Sequence, residues 1–183
     1  VIVAPGTTFN PTGPATYTIT SLFHSTGTIQ AASSTVFAST TMNGGNIEAT
    51  PNGLLTIAGP FTYYSGTFNH NNGTTSVILS SGINPVLNFG TMTFNHMSFE
   101  YGGSSGVSAS ANIASDISIL GNLTIQNTNS GGGSYSVVSN ISNTNRNLNV
   151  GGSLIFASTT VGGSLSFGGG STFPLTTYVG GDI

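Results

Sequence analysis

In "VSASANIASDISILGNLTI", residues 107–125, every odd position except Ser115 and Gly121 is Val, Ala, Ile or Leu, while the even positions are mostly Ser, Asn, Asp and Thr. A period of two marks a strand with one buried face. At ~3.3 Å per residue a single strand of this length would run roughly 60 Å, several times the usual length. The chain must therefore bend, at Ser115 or Gly121, without losing the parity of inward and outward positions. Further strands are predicted at residues 54–58, 76–80, 85–89, 91–101, 134–141, 147–150, 153–158, 164–167 and 177–183. Nowhere does an apolar i, i+3, i+4, i+7 pattern persist for three turns, so the chain reads as all-β. Asn43-Gly44, Asn52-Gly53, Asn72-Gly73 and several Gly pairs separate the strands, supplying the positive φ that tight turns need.

The chain also repeats itself. "VFASTTMNGGNIEA" (36–49) returns 119 positions later as "IFASTTVGGSLSF" (155–167). Four segments consist of Gly and a short alternating strand: "GLLTIA" from Gly53, "GNLTIQ" from Gly121, "GSLIFA" from Gly152 and "GSLSFG" from Gly163, with "GGDI" at the end reading as a fifth begun. "TFNH" occurs at Thr67–His70 and at Thr93–His96, 26 residues apart. Self-similarity on this scale marks a solenoid, whose coils bury their inner faces only against neighbours. The expected fold is a degenerate single-chain parallel β-helix, with inward aliphatic stacks, outward Ser/Thr/Asn ladders and Gly or Asn at the corners. The uneven Gly intervals of 68, 31, 11 and 18 residues keep an antiparallel β-sandwich open as the alternative.

The segments "GTFNHNNGTTSVILSS", "TMTFNHMSFEYGG", "ASDISILGNLTI" and "NLNVGGSLIFASTT" resemble the degenerate repeats of secreted bacterial β-solenoid proteins of the adhesin, filamentous-haemagglutinin-like and autotransporter-passenger type. The resemblance covers residues 26–183 and implies an exported, cell-surface protein with a structural or adhesive role. Residues 1–25, with Pro5, Pro11 and Pro14, depart from the pattern and read as an N-terminal cap or assembly arm before a solenoid body of 26–183.

Charge narrows the function classes. Charged residues make up 3% of the chain, namely Arg146, Glu48, Glu100, Asp116 and Asp182, against about a quarter in an ordinary domain. One cation cannot neutralise a run of phosphates, so nucleic-acid binding is not expected. With a net charge of −3, repulsion does little to keep copies apart. There is no cysteine, hence no disulfide framework and no thiolate metal site, and no apolar run approaches the ~20 residues of a membrane-spanning helix. The start at Val1, without an initiator Met or signal-like stretch, reads as a processed or excised mature segment.

Candidate chemistry is sparse. Glycosidic cleavage needs two carboxylates about 5 to 10 Å apart, which four scattered acids with one Arg fit poorly, so no enzyme, catalytic residue or cofactor is expected. A 26-residue coil would stack His70 on His96, one strand spacing of ~4.8 Å apart, close enough to share a metal. With no carboxylate beside either histidine, a polar ladder at a turn is the preferred reading, no metal site is assigned, and His24 stands alone. Asn72, Asn122 and Asn140 fall in N-x-S/T sequons, which an Asn- and Ser-rich chain contains by chance. The alternation "TYTIT" (16–20) raises ice binding, but the rest of the chain does not continue it. The strand-like, nearly uncharged ends fit two readings: a segment cut from a longer solenoid, each end continuing into its next coil, or head-to-tail self-association, Val1–Val3 of one copy pairing with Tyr178–Ile183 of another into an extracellular filament. The alternative is an adhesin or glycan-binding module without self-assembly, with Tyr63, Tyr64 or Tyr101 as stacking platforms.

Overall fold

The computed structural model describes residues 2–4, 6–10, 17–19, 22–24, 27–32, 35–80, 82–102, 109–127, 133–140, 145–158, 163–167 and 175–183. Val1, Pro5, Pro11, Pro14, Thr16, Thr20 and Val107 lie outside them, as do the side chains of His24 and Asn140. The chain opens with β1 (Ile2–Val3), β2 (Thr8–Phe9), β3 (Tyr17–Ile19), β4 (Leu22–His24), β5 (Thr28–Gln30), β6 (Thr35–Phe37) and β7 (Thr40–Glu48). It continues through β8 (Leu54–Ile57), β9 (Phe61–Asn69), β10 (Thr74–Leu79), β11 (Val86–Asn88), β12 (Thr93–Phe94), β13 (His96–Tyr101) and β14 (Ala111–Ile113). The last seven are β15 (Ile117–Ile119), β16 (Leu123–Asn127), β17 (Gly133–Asn140), β18 (Arg146–Val150), β19 (Leu154–Ser158), β20 (Gly163–Phe167) and β21 (Leu175–Val179).

Every strand pair among the described residues is parallel. Sheet A runs β1-β4-β7-β9-β11-β14-β17-β20, with β2 and β5 alongside; sheet B runs β3-β6-β8-β10-β13-β16-β19; sheet C runs β12-β15-β18-β21. From β11 onward the chain visits A, C and B in turn. The fold is therefore a parallel β-helix, and the parallel registers rule out the antiparallel sandwich. The described strands of residues 1–25 join the same sheets, β1 on β4, β2 on β5 and β3 on β6.

The step from coil to coil lengthens along sheet B. In sheet B, Tyr17 pairs with Thr35, 18 residues on, and Val36 with Thr56, 20 on; later steps are 20 (Leu54 to Thr74), 22 (Thr74 to His96), 26 (Met97 to Leu123) and 31 (Leu123 to Leu154). In the early coils β7 and β9 are nine-residue strands. They bend where Gly44, Gly45 and Gly66 have φ of 105°, 67° and 121°, values that side chains with a Cβ rarely adopt. Where the coil grows, the same stretch divides into β11 and β12. The added interior is filled by a run of rings, Phe61 to Phe89 at 5.4 Å, Phe89 to Phe94 at 5.0 Å and Phe94 to Phe68 at 5.4 Å.

Stacked coils place like on like. One inward column reads Ile19, Phe37, Ile57, Val77, Phe99, Ile125, Phe156, and another Leu55, Thr75, Met97, Leu123, Leu154. Each such side chain that is fully buried stabilises the fold by roughly 1.5 to 3 kcal/mol. The predicted bends occur at both sites, since residues 114–116 join β14 to β15 and residues 120–122 join β15 to β16, while 109, 111, 113, 117, 119, 123 and 125 all remain buried. In the short coils the interior is narrower, and Thr35 and Thr40 occupy it. Among the described residues their buried hydroxyls have no hydrogen-bond partner.

Register also explains the repeats. Residues 36–49 and 155–167 both carry the chain from sheet B to sheet A, through β6–β7 and β19–β20. Gly53, Gly121 and Gly152 each precede a strand of sheet B, whereas Gly163 opens β20 in sheet A and so belongs to a different corner. The interval of 68 from Gly53 to Gly121 spans three coils, through Gly73 and Asn95, marked by the bonds Thr74 N to Gly53 O, His96 N to Gly73 O and Gly121 N to Asn95 O. Gly152 N donates to Gly121 O and Gly181 N to Gly152 O, so "GGDI" does begin the same corner again.

Candidate functional site

The four acids lie on four different coils. Glu48 ends β7 on sheet A, where its carboxylate accepts from Asn46 Nδ2 at 2.7 Å and Gln30 Nε2 at 3.3 Å. It lines a depression of about 360 Å³ with Asn10, Gln30 and Asn71. Asp116 stands at the corner between sheets A and C, 3.9 Å from the Arg146 guanidinium, and accepts from Asn147 N at 3.1 Å. Asp182 follows β21, its backbone O accepting from Leu154 N at 2.9 Å.

Glu100 belongs to a cluster that the sequence did not single out. Its Oε1 accepts from Ser76 Oγ at 2.7 Å and from Ser98 Oγ at 2.9 Å, tying β10 to β13 on the outer side of sheet B. Both serines are buried. The signal lay in the register, because Ser76 pairs with Ser98 and Ile78 with Glu100, a match visible once a 22-residue coil is assumed.

The two "TFNH" copies align over their first half and then part. Phe68 and Phe94 are in ring contact, but His96 starts β13 opposite Thr74, while His70 stays on the corner before β10. The cause is a shorter connection: four residues separate Asn69 from Thr74, and Asn95 alone separates Phe94 from His96. Each imidazole Nδ1 accepts a backbone N–H, His70 from Asn72 at 3.1 Å and His96 from Asn122 at 2.9 Å. Among the described residues no group of three or more His, Cys, Asp or Glu is placed to hold a metal ion.

Of the sequons, Asn72 lies on the corner with φ of 59°, and its O accepts from Asn95 Nδ2 at 2.9 Å. Asn122 Oδ1 accepts from Ser153 N at 3.0 Å on the next coil, and Asn140 closes β17. The tyrosines divide. Tyr101 is fully buried in the core, which removes it as a stacking platform. Tyr63 is half-buried, its hydroxyl donating to Gly66 O at 2.8 Å. Tyr64 is 68% exposed.

The ends of the stack form the most extensive feature. The first coil presents β1, β2 and β3, and the last presents β19, β20 and β21, each with a described strand on one side. None of these six strands contains a charged residue or a proline, the usual devices that blunt a sheet edge. On the last coil Phe156 is 47% exposed and Ile155 is also exposed. Gly180 to Asp182 partly cover this end through Gly180 N to Val150 O, Gly181 N to Gly152 O and Leu154 N to Asp182 O.

The class defined by this geometry is a parallel β-helix whose coils are longer in its second half than in its first. Comparison with known protein families, curated proteins and solved structures finds no match.

Proposed function

We propose that the protein is a non-catalytic structural element of the cell exterior, a β-helical unit that joins copies end to end by pairing its terminal strands. The observation that carries this reading is the absence of charge and proline from all six edge strands, β1 to β3 and β19 to β21. Unpaired N–H and C=O groups on such strands template another chain, and contact between unlike ends does not close, so it propagates.

Seven rungs of sheet B at ~4.8 Å stack to roughly 30 Å. A 31-residue coil at ~3.3 Å per residue has a perimeter of roughly 100 Å, or about 30 Å along each of three sides. The described stack is about as wide as it is tall. A fibre of this kind suits a surface of Ser, Thr, Asn and Gly, because hydrogen bonds and apolar stacks, rather than ion pairs, hold it together.

The taper sets the strength of the joint. The wide end offers strands of five residues each, the narrow end strands of two, two and three. Head-to-tail pairing therefore engages about half of the wide edge, and assembly depends on concentration. The test is sedimentation velocity of the purified chain over a concentration series. The reading predicts a growing ladder of species, and a single monomer boundary at every concentration would refute it.

A further inference from the structure

A groove of about 390 Å³ crosses the outer face of sheet C where three successive coils reach the corner before sheet B. Ser118, Asn149 and Tyr178 form one cross-strand ladder along it. Its walls are Leu120 and Tyr178, each 57% exposed, and its floor is the backbone of Gly151 and Gly180. Stacking dictates those glycines, since a Cβ on Gly180 would lie 2.6 Å from Gly151 O and one on Gly151 would overlap Leu120 O. The floor is thus open by construction.

The polar groups beside it are free. Among the described residues no hydrogen bond engages the Asn149 amide or the Ser118 hydroxyl, whereas the side chains of Asn46, Asn71, Asn95 and Asn112 are all committed to ladder or corner bonds. None of the lining residues is charged. The Asp116–Arg146 pair lies on the N-terminal side of β15 and β18, two residues before Ser118 and three before Asn149, and is not part of the lining. An exposed aromatic face, an apolar neighbour, an amide and a hydroxyl, with no charge, match a neutral polyhydroxylated ring and mismatch a phosphate or an acidic chain. A peptide adding a strand would engage the edge of β21, not its outward side chains.

We propose that this groove binds a neutral hexose polysaccharide, one pyranose ring stacking on Tyr178 against Leu120 while its hydroxyls bond Asn149 and Ser118. Rungs ~4.8 Å apart place these groups at intervals comparable to a sugar ring. The proposal does not depend on end-to-end joining, because outward side chains stay exposed whether or not β21 is paired.

Calorimetric titration of the whole chain with cellohexaose and with maltohexaose tests it, with an oligogalacturonate as the charged counterpart. At least one neutral oligosaccharide binds. Tyr178→Ala weakens it by about tenfold and Asn149→Ala by about threefold, while Tyr178→Phe and Tyr64→Ala change it by less than about twofold. All three altered positions are exposed, so unchanged thermal unfolding confirms that the variants fold. The proposal is overturned if neither neutral oligosaccharide binds, if the acidic one binds more tightly, or if Tyr178→Ala binds like the parent. It is equally overturned if Tyr178→Ala leaves binding unchanged but abolishes self-association, which would make the groove a contact between copies.

Discussion

A Cβ on Gly59 would fall on the carbonyl oxygen of Ala38 in the coil before it, so Gly59→Ala forces backbone apart at the corner between sheets B and A. The expected cost is about 3 kcal/mol in urea unfolding, the upper end for overpacking, because the overlap is with backbone. Gly82→Ala makes a useful contrast: nothing lies within 4 Å of its Cβ, and the strain is that of φ near +70°, about 1 kcal/mol. Equal losses at the two sites would remove the argument that coils touch backbone to backbone at corners. At Ile119, buried and paired between Phe94 and Val150, replacement by Asp strands a charge in the core. A large fall in thermal unfolding temperature is expected, and an unchanged one would refute the column assignment. Inward and outward parity at this scale was legible in the alternation itself. Tyr101 was not, because an aromatic carrying a hydroxyl fits either face, and its burial follows from its pairing with Leu79 in the longest strands of sheet B.

Strand positions were legible from alternation and turn residues, but partners were not, since pairing depends on coil length and the coils grow from 18 to 31 residues. The Gly intervals looked irregular because Asn95 stands at a corner where neighbouring coils carry Gly, and because Gly163 marks a different corner. The "TFNH" repeat misled for the same reason: a constant 26-residue step holds for the Phe pair and fails two residues later. At the element scale, β10 and β13 are joined by Glu100 through Ser76 and Ser98. Glu100→Ala leaves two buried hydroxyls without that acceptor and should cost about 1 to 3 kcal/mol. A chemical-denaturation midpoint identical to the parent would show the cluster to be energetically idle. Hydrogen exchange should follow position in the stack, with amides of β8, β10, β13 and β16 protected most and those of β1 and β2 least. Uniform protection would contradict this order.

The described strands form a stack whose first and last coils differ in size. The parallel β-helix was legible in the sequence from its residue classes, and the taper was not, because no local feature encodes the width of a coil. In the proposed end-to-end joint, a wide edge of three five-residue strands would face a narrow edge of three shorter ones. With so little charge on the chain, salt should matter little to that contact. The groove on sheet C would then recur along the fibre once per copy, giving a polymer repeated weak contacts with a neutral glycan surface.

The most direct measurement is electron microscopy of the concentrated, purified chain, in low salt and in about 1 M salt, carried to a resolution that reads the repeat along the fibre. The account predicts filaments at both salt levels with strands perpendicular to the axis, spaced ~4.8 Å apart, and a larger repeat of one copy. Dispersed single particles at every concentration, or fibres that dissolve as salt rises, would contradict it.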